Sequence, residues 1–281
     1  MKVGIHVSIS GSIDLAIDRA LERRCDTFQI FTRNPRGWKF KTLSEDDVKN
    51  FTRKLADSGI APAVSHMPYL PNLASPKEDV YEKSVETLTA EVHRCGLLNI
   101  PYLVTHLGSH LGAGMELGYR RIVDACNEAL SEVENDVIML LENTAGTKNS
   151  MGGTFKAIRH IIDGVEQKSR VAVCFDTCHA FAAGYDLRNE KALSETLERF
   201  DEVIGLDLLR VVHLNDSKGD LGSQIDRHEH IGLGFIGEEG FKTILRNETI
   251  RPLPLILETP IDKRRDDYGN LEKVRELAKT S

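Results

Sequence analysis

The sequence predicts an α/β fold, a (β/α)8 TIM barrel forming one domain over residues 1–281. Three observations carry that expectation. Eight short apolar runs alternate with eight segments of helical periodicity. The apolar runs are nearly continuous, as strands covered on both faces are. No linker, low-complexity segment or composition shift divides the 281 residues, an ordinary length for one barrel. A doubly wound open sheet is the alternative for the same alternation.

Taken in order, Lys2–Val7 is a short β-branched run and reads as the first strand. Gly11–Arg24 carries Ile13, Ala16, Ile17, Ala20 and Leu21 at helical spacing. Cys25–Phe31 is the second strand, and Thr32–Lys41 (TRNPRGWKFK) follows as a basic loop with Trp38 and Phe40 interleaved. Leu43–Ser58 is amphipathic and opens on a Ser44–Asp47 capping pattern. Ala61–His66 is the third strand, with the proline-punctuated loop MPYLPNL after it. Lys77–Cys95 is a long helix, Tyr102–His106 the fourth strand, and Gly118–Val133 the next helix. Val137–Glu142 and Val171–Asp176 are the fifth and sixth strands, separated by the helix Phe155–Val165. Asn189–Ile204 is a helix and Leu208–Leu214 the seventh strand. A polar stretch then runs to Gly237 before the helix Glu238–Asn247, the eighth strand Leu253–Glu258 and the last helix Leu271–Lys279.

Composition narrows the function. Hydrophobic content of 41% and charged content of 28% describe a globular chain, and the longest apolar runs are strand-sized, so no membrane span or membrane partner is expected. The start, MKVGIHVSIS, has no apolar core of signal-peptide length, so a cytoplasmic, non-secreted protein is expected. Without export the sequons at Asn50, Asn215 and Asn247 carry no meaning. Five cysteines at irregular spacing fit reduced thiols. A net charge of −7 argues mildly against an electrostatic nucleic-acid binder, unless bound cations reverse the sign of a local surface.

The chemistry gathers at strand ends. From the third strand onward each apolar run ends in a metal-ligand residue type: His66, His106, Glu142, Asp176, His213 and Glu258. In a barrel those carboxyl ends converge on one face, where barrel active sites are built. A polar cap at a strand exit explains any one of them but not six in succession. His179, one turn past Asp176, and the pair Asp226 and His228 bring the set to nine. That is too many donors for a single zinc ion, which takes about four. It suits two or three metals sharing a bridging carboxylate, and metals roughly 3.5–4 Å apart clamp the attacking and leaving oxygens of a phosphoryl transfer. A bridging hydroxide is then the expected nucleophile, and mixed His and carboxylate ligation favours zinc, with manganese as the alternative.

Other signals are weaker. GLGFIG (Gly232–Gly237) matches a dinucleotide-binding pattern but follows a charged loop rather than a strand, so that reading is rejected. Cys174 and Cys178 flank Asp176 at zinc-thiolate spacing, but Cys174 lies inside an apolar strand and reads as core. His6 ends the first strand and resembles the ligand pattern, whereas His93 and His160 sit in helices and read as structural or exposed. His110 lies four residues past His106, and His230 reads as a loop-packing residue. The Thr32–Lys41 stretch reads either as a plain surface loop or as a nucleic-acid loop in which Arg33, Arg36 and Lys39 touch phosphates while aromatics stack on bases.

Longer motifs carry a family resemblance. HVSISG, FTRNPRGW, HMPYLPNL, HLGSH, LENTAG, CFDTCHAFAAGYD, HLNDSK, DRHEHIGLGFIG and LILET resemble endonuclease IV, the zinc-dependent apurinic/apyrimidinic endonucleases of AP endonuclease family 2, from Gly4 to about Thr259. The resemblance implies a barrel with three metals, usually zinc. His66, His106 and Glu142 would hold one, Glu142, Asp176, His213 and Glu258 the second, and His179, Asp226 and His228 the third, with Glu142 as the bridge. It implies hydrolysis of the phosphodiester 5′ to an abasic site, leaving a 3′-hydroxyl and a 5′-deoxyribose phosphate, and removal of 3′ blocking groups. The partner is then double-stranded DNA with abasic sites or blocked 3′ ends, bound by a monomer. Arg36, Tyr69 and Leu70 match residues that insert into the base stack, and Glu142 and Glu258 are the expected catalytic carboxylates, Glu258 orienting or deprotonating the nucleophile. Ser12 and Leu233 depart from residues found in some members, a glycine and a glutamate, at positions that are not ligands. A metal-dependent sugar isomerase of related barrel architecture and a non-catalytic abasic-DNA binder are the competing readings.

Overall fold

The computed structural model describes residues 1–279; positions 280 and 281 of the expected domain lie outside the described residues. Eight parallel strands form the barrel: β1 (Lys2–Ile5), β2 (Phe28–Ile30), β3 (Ala63–His66), β4 (Tyr102–Thr105), β5 (Ile138–Glu142), β6 (Val171–Asp176), β7 (Leu209–His213) and, after the hairpin described below, β10 (Pro254–Leu257). They pair in the order β1-β10-β7-β6-β5-β4-β3-β2. Closure rests on the bridge His6–Gln29, with the Val7 N–H donating to the Gln29 carbonyl at 2.8 Å. Gly4 permits it: a Cβ there would fall 1.7 Å from the Thr27 carbonyl oxygen, so no side chain fits where β1 and β2 meet.

Helices cover the outside: α1 (Leu15–Glu22), α2 (Glu45–Ser58), α3 (Glu78–Leu97), α4 (Met115–Glu132) and α5 (Phe155–Gly164). The short α6 (Thr177–Ala182) comes next, then α7 (Glu190–Val203), α8 (Gly237–Arg246) and α9 (Asp267–Lys279). The capping box expected at Ser44 and Asp47 forms, each backbone N–H donating to the other's side chain at 3.0–3.1 Å. Two of the elements that were not foreseen bear on the site. One is α6, begun by the Asp176 carboxylate accepting the His179 N–H at 2.7 Å. The other is a hairpin of β8 (Asp216–Ser217) and β9 (His228–Glu229) inside the polar stretch after β7. Among the described residues no helix is long and apolar enough to cross a membrane, and all five cysteines are free and buried.

Strand periodicity builds the site. Successive side chains alternate between the barrel interior and the helix layer. Val64, Val104, Leu140, Ala172, Cys174, Val211 and Ile256 fill the interior. Two residues further along the same strands stand His66, His106, Glu142, Asp176, His213 and Glu258. The six strand-end residues therefore form the next layer above an apolar plug, on the carboxyl-end face. On β1 and β2 the same layer is occupied by His6 and Gln29.

Candidate metal centre

Glu142 is at the middle. Fully buried, it places Oε2 2.9 Å from His106 Nε2 and 3.3 Å from His66 Nε2, while Oε1 lies 3.1 Å from His213 Nδ1 and 3.3 Å from His179 Nδ1. Three groups, each with donor atoms within 4.8 Å of one another, surround it: His66, His106 and Glu142; Glu142, Asp176, His213 and Glu258; and His179, Asp226 and His228. The nine residues singled out from the sequence are thus brought together without exception. A fourth grouping, Asp176, Cys178 and His228, overlaps these. Cys178 donates its thiol to the Arg227 carbonyl at 3.6 Å, and burial raises that thiol to about 12. Cys174 is interior core, as expected.

The imidazoles are set up as metal ligands are. His66 Nδ1 lies 2.7 Å from the Met67 carbonyl, His179 Nδ1 3.0 Å from the Asn143 carbonyl, and His228 Nδ1 3.0 Å from the Glu258 carbonyl. An oxygen acceptor at one ring nitrogen puts the proton there and leaves the other as a lone-pair donor. For these three the nitrogen turned toward the carboxylates is Nε2: His66 Nε2 lies 3.3 Å from Glu142 Oε2, His179 Nε2 3.1 Å from Asp226 Oδ1, and His228 Nε2 is buried with no hydrogen-bond partner, 3.7 Å from Asp176 Oδ2. A buried unpaired ring nitrogen facing a carboxylate is what a ligand lacking its ion looks like. The residues present therefore fit divalent metals that accept imidazole and carboxylate.

Charge supports the same view. Burial disfavours ionisation of Glu258, yet His213 and His66 outweigh it and bring the carboxyl down to about 2. Asp226 is brought to about 2 by its hydrogen bond with His179, 3.1 Å away. Burial lowers His179 and His213, but their neighbours outweigh it and both stand well above the ordinary value of 6.5, Asp176 leading for His179 and the Cys174 sulfur with Glu258 for His213. Such carboxylates and imidazoles compensate one another in the protein alone and would exchange imidazole protons for metal charge.

Supporting residues without ligand chemistry were missed from the sequence. Asn143 exchanges two hydrogen bonds with the Asp176 backbone at 2.7 and 3.0 Å. Asn215 Nδ2 donates to Asp176 Oδ2 at 2.7 Å and its Oδ1 accepts the Glu258 N–H at 2.8 Å. Gln29 touches both Glu258 and His213. The available signal was positional: Gln29 stands at its strand's interior position, level with the candidate ligands. Asn215, a sequon by pattern, is fully buried. The Gly232–Gly237 glycines wrap a carboxylate: the N–H groups of Gly232, Gly234 and Ile236 donate to Asp216 at 2.9–3.0 Å. His110 Nδ1 accepts the N–H groups of Gly112 and Gly114, shaping a turn. His230 is buried between Asp262 and Asn270, each 3.0 Å away.

The centre opens to solvent through a cavity of about 530 Å³, lined among others by His6, Tyr69, His106, Asp226, His228, Glu258 and Ile261. A second, of about 250 Å³, shares His66, Tyr69, His106 and Asp226. Tyr69, which lines both cavities, is 65% exposed and its chain neighbour Leu70 39%, and the Tyr69 N–H donates to the Pro35 carbonyl, tying that loop to Thr32–Lys41. Arg36 is exposed on the latter loop.

One expectation is corrected. Arg33 is not free to touch phosphates: it is buried, with Nε 3.1 Å from Glu91 Oε1, and the Phe40 ring lies 4.3 Å from its guanidinium carbon. Glu91 also accepts from Thr32 Oγ1 at 2.7 Å, and Arg94 donates to Thr32 and to the Lys41 carbonyl. The guanidinium turns inward because α3 presents a fully buried carboxylate beneath the loop, and a buried charge requires a partner.

Residues 17–280 match the family model described as xylose isomerase-like TIM barrel. A probable endonuclease 4 from Methanoculleus marisnigri is 61% identical over 277 residues, 98% of each chain. The crystal structure of endonuclease IV from Thermus thermophilus superposes with a TM-score of 0.89 at 34% identity, covering 100% of both chains. A D-tagatose 3-epimerase-like protein, 21% identical with a TM-score of 0.74 over 99% of this chain and 97% of its own, shares the fold alone. Sequence, barrel and comparisons agree that this chain belongs to the endonuclease IV family of TIM-barrel proteins.

Proposed function

We propose that this chain is a metal-dependent DNA-repair endonuclease that hydrolyses the phosphodiester 5′ to abasic sites and trims blocked 3′ ends, with three zinc ions, or manganese at one or more sites, held by the nine residues in the groups already given. The observation that carries the reading is the convergence of three donor groups on the buried Glu142 beneath a cavity lined by the exposed Tyr69, with Leu70 exposed next to it in the chain. When bound, the metals supply Lewis acidity and positive charge to a phosphodiester in this otherwise anionic centre.

The protein's own groups do the rest. Glu142 shares its two oxygens among the imidazoles of the separate groups and keeps them in one cluster. Glu258, lining the cavity with its carboxyl held ionised, is placed to orient the attacking water as a hydrogen-bond acceptor. Tyr69 and Leu70 occupy the space a base leaves in the stack, while Arg36 meets the backbone. The cavity of about 530 Å³ accommodates a deoxyribose phosphate turned out of the helix.

The test is a duplex with one tetrahydrofuran abasic analogue. The zinc-loaded protein should nick it on the 5′ side and leave a 3′-hydroxyl, and chelation should abolish the nick. An intact duplex, or incision that survives full removal of metal, would refute the proposal.

A further inference from the structure

Gln29, on β2, is fully buried at the level of the expected ligands. Its Nε2 lies 2.7 Å from Glu258 Oε1 and 3.0 Å from His6 Nδ1, and its Oε1 lies 2.8 Å from His213 Nε2. Donor and acceptor roles follow in sequence. An ionised carboxylate only accepts, so the amide turns its NH2 toward Glu258. The amide oxygen then faces His213 and only accepts, so His213 carries its proton on Nε2. Nδ1 is then the nitrogen whose proton an ion would displace to reach a lone pair, and it lies 3.1 Å from Glu142 Oε1 and 3.3 Å from Glu258 Oε2. The second amide hydrogen goes to His6 Nδ1. No polar atom of the amide remains idle.

His213 is distinct from its neighbours in this respect. His66, His179 and His228 have Nδ1 against backbone carbonyls and present Nε2. His213 presents Nδ1 and is oriented by a side chain, and that side chain also restrains Glu258 from the opposite side of the barrel seam.

We propose that Gln29 is a positioning residue of the metal centre, its single amide fixing His213 in the Nε2–H tautomer with Nδ1 toward the ion and holding Glu258 by Oε1 so that Oε2 is left for coordination. The proposal rests on the reading that Glu142, Asp176, His213 and Glu258 hold a metal. An unrestrained neutral imidazole divides between tautomers, and the wrong one puts an N–H where the lone pair is needed. Loss of such an outer partner typically weakens metal binding by ~10–100-fold.

Two readouts test it without DNA: Zn2+ affinity by chelator competition, and nitrogen-15 imidazole NMR of the zinc-loaded protein. Wild-type protein should show His213 protonated at Nε2. Gln29→Leu should bind one Zn2+ ~10–100-fold more weakly. Gln29→Glu keeps an acceptor for His213 but sets a second carboxylate against Glu258. It should retain the Nε2–H signature while losing affinity, and it carries the test if the leucine variant does not fold. His213 protonated at Nδ1, or both variants binding Zn2+ as tightly as wild type, would overturn the proposal. A Gln29-dependent zinc protein that leaves abasic duplex intact would overturn the nuclease reading and leave this one standing. A wild-type chain that binds no Zn2+ overturns both, before any variant is made.

Discussion

Glu91→Ala should be among the most damaging single changes outside the metal centre. Glu91 is fully buried and Arg33 nearly so, with the ion pair 3.1 Å apart. Burial raises the Glu91 carboxyl and lowers the Arg33 guanidinium despite their mutual attraction, so desolvation exceeds the pair's own stabilisation. Removing one partner strands the other charge in the interior, which costs about 3–5 kcal/mol. The Thr32 hydroxyl loses its acceptor as well. Against a typical domain stability of about 5–15 kcal/mol the loss is large. Urea unfolding of the zinc-loaded protein measures it, as a fall in midpoint at unchanged slope. The double variant Arg33→Met, Glu91→Leu removes both charges of this pair and should recover part of the loss, the remainder falling on buried Arg94, which also loses Glu91 as a counter-charge. The Thr32–Lys41 loop hangs on this pair, so the single variant should also raise KM for abasic duplex more than it lowers kcat. A loss below about 1 kcal/mol, the range of exposed pairs, would refute the picture of a dry clamp under the loop.

Three further outcomes are expected. Glu258→Gln should keep the fold and lose incision, and wild-type rates on the tetrahydrofuran duplex would remove its assigned role. Reversing the charge of Arg36 and Lys39 should flatten the dependence of log affinity on log salt, whereas Arg33→Met should leave that slope unchanged, since Arg33 faces Glu91. The metal-free protein should lose stability at both ends of the pH scale. Glu258 and Asp226 lie at about 2, below their ordinary values of 4.5 and 3.8, so their contribution is present above those values and fades as pH falls toward 2. His179 and His213 are raised above 6.5, so theirs is complete below 6.5 and is lost as pH rises through the raised values. Zinc loading should remove the alkaline loss, and unfolding midpoints measured across pH with chelator or zinc would show otherwise if it persists.

Much of this protein was legible in the linear sequence, for a physical reason. A strand in a parallel barrel must be apolar until it leaves the core, so a run such as VIMLLE announces both the strand and the ligand-type residue at its end. Period-two alternation then carries His66, His106, Glu142, Asp176, His213 and Glu258 onto one layer without further information. The barrel and the convergence of these six ligand-type side chains were therefore readable residue by residue, while His179, Asp226 and His228 join them through α6 and the loop and hairpin after β7. Tertiary structure decided what depends on partners distant in the chain. Arg33 looks like a phosphate contact until α3 supplies Glu91, far along the sequence, beneath it. Gln29 is an ordinary strand residue until closure brings it against His213 and Glu258, 184 and 229 residues away. Composition and spacing report which groups the chain carries. Which nitrogen of His213 bears the proton, and which arginine turns inward, is set by donors and acceptors that meet only when the barrel closes.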